Sequence, residues 1–333
     1  MAFTEVAFER LHLALETTRG VAIATPTHLL NLSGKLTPKQ TLHRPKESRG
    51  TLVQNYRTKP TRRWGEWEGE GAADPNILPL LFNMAVKPVT SPTTPGTLSK
   101  LWAFVRTVNA DDTKTATVWA GDPNIQSWQA DFATIDEITI KNDASSEDVA
   151  TVSVKGKTNF PAKVSAPTSP ASIAGDLLPG QQMQVWIDTS SVIGSTAVTG
   201  RIISVEHTIP VGYEYKYLAA GPNGGLEYSG LGRTPTAAKT KLVMEIPDMV
   251  QYDLWTAATT LKVRVRHNGA LIETVSMVDY YNFFEMDLYG PFDLLEWGEK
   301  GANRVVELTI ESEYDATLAA DYRVAVQNAR ATL

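Results

Sequence analysis

The stretch Lys35–Glu70, KLTPKQTLHRPKESRGTLVQNYRTKPTRRWGEWEGE, decides how the rest of the chain reads. Between Lys35 and Arg63 it carries nine basic side chains, Lys35, Lys39, Arg44, Lys46, Arg49, Arg57, Lys59, Arg62 and Arg63, against one acid, Glu47. Pro38, Pro45 and Pro60 and the Arg49-Gly50 pair exclude a long helix there, because proline lacks the backbone donor and clashes with the preceding turn. Two extended limbs around a turn are expected, forming an arm that points away from a domain. From Arg63 to Glu70 the pattern alternates, with Gly65 and Gly69 two residues to either side of Trp67, as in a strand that tolerates close backbone approach. Asp74 then reads as a helix N-cap and Pro75 as the first helical residue, with Ile77, Leu78, Leu81 and Met84 as an apolar stripe.

Upstream of the arm, residues 3–18 (FTEVAFERLHLALETT) fit helical spacing through Phe3, Val6, Leu11 and Leu15, and the alternation Leu11, Leu13, Leu15 fits a strand equally well. Residues 21–32 (VAIATPTHLLNL) read as extended, broken at Pro26. Downstream, strand signals fall at Leu101–Val108, Ala116–Trp119, Ile135–Lys141 and Val149–Val154. Pro161, Pro167, Pro170 and Pro179 among Ser and Ala mark a linker, which sets expected domains at 1–165 and 166–333.

The second half repeats the order of signals about 174 residues later. Strands are expected at Gln184–Asp188 and Arg201–His207, Tyr213, Tyr215 and Tyr217 alternate, and a glycine-rich turn (Gly221–Arg233) stands where the basic arm stood. Asp248 then matches Asp74 ahead of a helix with Val250, Leu254 and Trp255, and a hairpin is expected at Asn268-Gly269. Further strands fall near Thr274–Val278, Phe283–Leu288, Val305–Glu311 and Tyr322–Val326. Long-period similarity of this kind is the mark of duplication. The fold expected is mainly β: two similar sandwich or barrel units, each with a short flanking helix.

Composition narrows the function classes. A chain of 333 residues with 42% apolar and 20% charged side chains builds cores and is not a disordered chain. It has no cysteine, which excludes disulfides, thiolate metal sites and cysteine nucleophiles. Neither a secretory leader nor a bilayer-spanning apolar run is read in it. The net charge of −6 splits unevenly, 19 basic and 17 acidic residues in 1–165 against 12 and 20 in 166–333. That balance opposes tight binding to duplex DNA, which needs a basic face, and suits a surface that DNA slides past.

Catalytic and cofactor signals are absent. The histidines, His12, His28, His43, His207 and His267, have no metal-ligand spacing, so no metal or cofactor is expected. The acid pairs Asp111-Asp112, Asp136-Glu137 and Glu147-Asp148 resemble glycosidase pairs only in being pairs, and read as solvated loop acids. Residues 229–234 (SGLGRT) lack the third glycine of a dinucleotide fingerprint. The aromatic run Tyr280, Tyr281, Phe283, Phe284 admits a stacking platform for sugars or bases, or a buried strand or subunit contact.

Several stretches together resemble the tail tube, or major tail, proteins of long-tailed bacteriophages. These are ALETTRGVAIATPTHLLNL (Ala14–Leu32), ESRGT (Glu47–Thr51), GEWEGE with PNILPLLFNMAV (Gly65–Val86), TVWAGDP from Thr117 and DEITIKND ending at Asp143. The resemblance implies a β-sandwich or barrel with a flanking helix, and a non-enzymatic virion protein assembled in the host cytoplasm. Its subunits would form rings, stacked into a tube that holds the tape-measure protein, meets a tail terminator and later passes DNA without specific binding or membrane contact. A duplicated subunit implies three chains imitating six-fold symmetry, and the nine basic residues of the 35–63 arm would touch the neighbouring ring. Two other classes are weighed: a monomeric binding module stacking sugars on Tyr280, Tyr281 and Trp297, and a glycoside hydrolase using Asp136 and Glu137.

Overall fold

The computed structural model describes residues 9–47, 49–53, 55–106, 113–122, 126–146, 148–165, 173, 175–189, 192–245, 248–300, 303–316 and 319–333. Strands take 56% of the chain and helices 7%, so the fold is mainly β and backbone polar groups are satisfied chiefly across sheets.

The first half contains β1 (Arg10–Leu15), β2 (His28–Leu30), β3 (Ser33–His43), β4 (Lys59–Ala72), α1 (Leu78–Ala85), β5 (Lys100–Val105), β6 (Ala116–Asp122), β7 (Gln126–Ala133), β8 (Glu137–Asp143), β9 (Thr151–Thr158) and β10 (Ala162–Val164). The second contains β11 (Met183–Asp188), β12 (Ala197–Val198), β13 (Ile202–Pro210), β14 (Tyr213–Lys216), a single turn α2 (Pro222–Gly225), β15 (Gly230–Arg233), β16 (Lys239–Glu245), α3 (Val250–Thr256), β17 (Leu261–Val275), β18 (Val278–Gly290), β19 (Phe292–Lys300), β20 (Asn303–Glu311) and β21 (Tyr322–Asn328).

An eight-stranded antiparallel sheet runs through both halves in the order β19-β20-β16-β13-β8-β9-β4-β3. Its two four-stranded halves have one pattern: the strand after the arm, β4 or β16, lies between the strand before the arm and a late strand, β9 or β20, which pairs in turn with β8 or β19. Two smaller sheets, β10-β7-β6-β1-β2 and β12-β11-β17-β18-β21-β5, pack against the first-half and second-half strands. They share an order too, with β2-β1-β6-β7-β10 matching β12-β11-β17-β18-β21. The halves are nevertheless joined. β5 crosses to pair with β21, β8 pairs with β13, and one apolar core continues from Leu11 and Trp67 to Val306 and Val324. The linker residues Pro167 and Pro170, and the boundary at 165/166, fall at or within positions outside the described residues.

Local chemistry explains where elements differ from expectation. The undecided N-terminal segment is strand β1 from Arg10, while Phe3 and Val6 lie outside the described residues. α1 starts at Leu78, not Pro75, because the Asp74 carboxylate accepts from Asn76 N (2.8 Å) and Asp176 N (3.3 Å), and its carbonyl closes a turn onto Ile77 and Leu78. Likewise α3 is preceded by Met249, with Asp248 accepting from Val250 N at 3.2 Å. The hairpin expected at Asn268-Gly269 turns instead at Ser276-Met277, both at positive φ, and β17 passes through Asn268-Gly269 with an irregular register. Gly269 is there for space: a Cβ would sit 2.5 Å from Asp176 Oδ2 and 3.0 Å from the Leu177 carbonyl. Trp67 shows the same logic, since Gly156 opposite leaves room for its indole to donate to the Thr134 carbonyl at 2.7 Å.

Candidate assembly surface

Edges are where a sheet protein meets partners, because an edge strand presents unpaired N–H and C=O groups. Among the described residues, the eight-stranded sheet has one filled joint between the halves and two open outer edges. The filled joint is β8 against β13, antiparallel from Ser204↔Asp143 to Pro210↔Glu137. It buries Ile138, Ile140, Val205 and Ile209 and is flanked by a Lys141–Glu206 ion pair at 3.3 Å. Beneath it, a chain of buried polar groups ties the halves together: Asn142 Nδ2 lies 2.7 Å from His267 Nδ1, His267 Nε2 lies 3.4 Å from His207 Nε2, and His207 Nδ1 lies 2.8 Å from Thr240 Oγ1. Burial lowers both imidazoles, His267 to about 3, so the pair is neutral.

The counterparts of β13 and β8 are β3 and β19, the two outer strands of the eight-stranded sheet. On β19, Leu294 and Trp297 are 40% and 50% exposed, whereas Ile138 and Ile140 of β8, beside β13, are buried in the core. Glu296 and Glu299 are exposed along the same strand. No strand predicted from sequence covered β19, whose signal is diluted by Glu296, Glu299 and Gly298.

The basic stretch is a hairpin at the other edge. β3 and β4 pair from Ser33↔Glu70 to His43↔Lys59, and an outlying bridge joins Lys46 to Asn55. The nine basic residues divide into three groups. Lys35 and Lys39 pair across the ladder with Glu68 (2.7 Å) and Glu66 (3.4 Å), and Arg49 and Arg57 both hold Glu47 at 2.5 Å, keeping its carboxyl below the usual range. Arg62 and Arg63 stack over Tyr217 and Phe160 at 4.7 and 5.4 Å. Arg44, Lys46 and Lys59 are exposed and carry no ion pair among the described residues. Leu52 and Val53 at the tip are exposed as well.

The second half's insertion between β13 and β16 does not project. It folds as the ribbon β14–β15 over the first half. Tyr213 donates to the Met84 carbonyl at 3.1 Å and Arg233 to the Ala85 carbonyl at 3.0 Å, at the C-terminal end of α1. Tyr215 reaches Thr134 Oγ1 at 2.7 Å and donates to Asp136, and Tyr228 donates to the Phe132 carbonyl at 2.6 Å. The Leu226 carbonyl accepts from Arg63 N at 2.8 Å. The alternating tyrosines were legible in sequence; the roles of Arg233 and Tyr228 were not. All eight residues of α1 are buried, whereas α3 exposes Val250, Tyr252, Asp253 and Thr256.

The other candidate sites do not come together. Asp136 is half-buried and accepts from the Tyr215 hydroxyl; desolvation raises its pKa and outweighs that hydrogen bond, which lowers it, and Glu137 pairs with Lys155 at 2.6 Å. Asp111, Asp112 and Glu147 lie outside the described residues, and Asp148 is exposed. Tyr280 and Tyr281 are on β18 and Trp297 is on β19, in different sheets; the Tyr280 hydroxyl is committed to the Pro95 carbonyl at 3.0 Å. Phe284 is core. Among the described residues, no group of three or more His, Asp or Glu side chains is placed to hold a metal ion, and no helix is long and apolar enough to cross a membrane. No protein-family model and no curated protein matches the chain.

Proposed function

We propose that this chain is a structural subunit of a phage tail tube, closing into rings that stack around a channel for the genome. One observation carries the reading: the chain already contains one edge-to-edge joint between two units of like strand order, and ends in the two edges that would make the next such joint. Repeating β8–β13 as β19 of one chain against β3 of the next gives a heterologous contact, and heterologous contacts close into rings when the rotation per step allows. Three chains supply six units, in keeping with the tail tube resemblance. Closure removes every free edge of the large sheet and covers Leu294 and Trp297, which otherwise leave an aggregation hazard. The channel role, the tape-measure and terminator partners and the virion location rest on the resemblance alone.

Negative-stain electron microscopy of the purified chain across protein and salt concentration tests the reading. Hollow rings or tubes whose class averages have three-fold symmetry are expected. A chain that stays monomeric at all conditions, and also in the presence of preformed tube ends, refutes it.

A further inference from the structure

We infer that the basic hairpin is a sideways clasp: residues 44–58 of one chain lie across the C-terminal end of α3 and the β18–β19 corner of a second copy in the same ring. The inference rests on the ring reading and adds what the arm does within it. Resemblance alone directs the arm to the next ring; the chain's own precedent directs it to the adjacent unit. The ribbon 211–238 occupies the position between β13 and β16 that residues 44–58 occupy between β3 and β4. It crosses the β8–β13 joint and lies on the unit beyond, over the end of α1 and the β7–β8 corner. If β3 pairs with a neighbour's β19 as β13 pairs with β8, the arm beside β3 is carried onto that neighbour's α3 and β18–β19 corner.

The receiving face is open and suits that occupant. α1 is wholly buried and the ribbon holds its C-terminal end, but its counterpart α3 leaves Val250 53% and Tyr252 38% exposed. In its first turn Asp253 is exposed, as are Asp293 and Glu313 at the β18–β19 corner. The arm presents Arg44, Lys46 and Lys59, which have no ion pair among the described residues, with the apolar tip Leu52-Val53. Basic charge with an apolar tip therefore meets acidic charge around an apolar helix face, a complementarity that sets register and speeds encounter. The first half's excess of base and the second half's excess of acid have the same sense.

The absence of cysteine makes the test direct. Val53→Cys and Ala257→Cys, both at exposed positions, are combined in one chain. Assembled material is treated with a short flexible bis-maleimide and run on a denaturing gel. A sideways clasp yields covalent products that stop at the ring's chain number, identically from isolated rings and from tubes. An open-ended ladder seen only with tubes, or no cross-link in rings verified by microscopy, overturns the clasp and leaves the ring reading intact. Absence of rings from the unmodified chain removes the ring reading itself, and the clasp with it. Adding Arg44→Glu, Lys46→Glu and Lys59→Glu should lower cross-link yield at least tenfold with unchanged circular dichroism; an undiminished yield also overturns the clasp.

Discussion

Acid should weaken this fold through the buried pair His207 and His267, and removing one imidazole should flatten that response. Both rings are fully enclosed, and burial holds them neutral, His267 down to about 3 and His207 well below its ordinary value. The unfolded chain takes a proton on each near pH 6.5, while the folded chain refuses it. Their contribution is therefore fully present above pH 6.5 and is lost as pH falls toward 3. For His267 between pH 6.5 and 5, 1.5 pH units at 1.36 kcal/mol each give about 2 kcal/mol. Glu16, Asp131 and Asp136 act in the opposite direction, because burial raises their folded pKa and the folded state takes up protons first as pH falls. A difference between two proteins cancels them. Urea unfolding of the wild type and of His267→Gln, at a concentration too low for assembly, is followed by circular dichroism at several pH values. At pH 7.5 the variant should be about 1–3 kcal/mol less stable, having broken a buried hydrogen-bonded chain. That deficit should shrink by about 1.4 kcal/mol per pH unit below 6.5, toward zero near pH 5. A deficit that stays constant with pH would refute the reasoning.

Three further outcomes follow from the same structure. Trp297→Glu on the open edge should stop ring growth while the chain remains folded, seen as monomer by sedimentation velocity beside an unchanged urea midpoint. Tyr228→Phe removes the hydroxyl that donates to the Phe132 carbonyl at 2.6 Å in a fully buried setting, and should lower stability by about 1–2 kcal/mol in urea unfolding. Gly269→Ala places a Cβ 2.5 Å from Asp176 Oδ2 and 3.0 Å from a backbone carbonyl, and should cost about 1–3 kcal/mol and expose the 175–178 segment to limited proteolysis.

What could be read without the structure follows the range of the forces involved. The hairpin flanking the arm, the α1 stripe and the alternating tyrosines are local patterns, and local patterns survive in one sequence. The strand order is non-local: nothing in Glu137–Asp143 says that its partner is Ile202–Pro210, nor in Lys100–Val105 that it crosses to β21. Asn268-Gly269 misled because the dipeptide has two uses, a tight turn and a close approach, and only packing against residues 176–177 selects the second. The arm's charge was legible, but how each charge is spent was not. Reversing Arg57, Arg62 and Arg63, the choice that charge alone suggests, would break contacts to Glu47, Tyr217 and Phe160 inside the chain. Arg44, Lys46 and Lys59 are the better probes.

The two arms differ in chemistry as an internal and an external joint should. A ribbon that seals a joint within one chain always has its target beside it, so it can be built from tyrosines that bury their rings and place their hydroxyls, as Tyr213, Tyr215 and Tyr228 do. The same surface on an outward arm would be an apolar patch on every unassembled subunit, inviting association in any register. Charge keeps the free subunit soluble and acts at distances that apolar contact cannot. The consequence is measurable. Rates of ring formation should fall steeply between 50 mM and 500 mM salt, as the Debye length contracts from about 14 Å to about 4 Å, while urea stability of the single chain stays within about 1 kcal/mol, its exposed ion pairs each contributing little. If assembly and unfolding respond to salt alike, or assembly not at all, the division of labour between the arms is wrong.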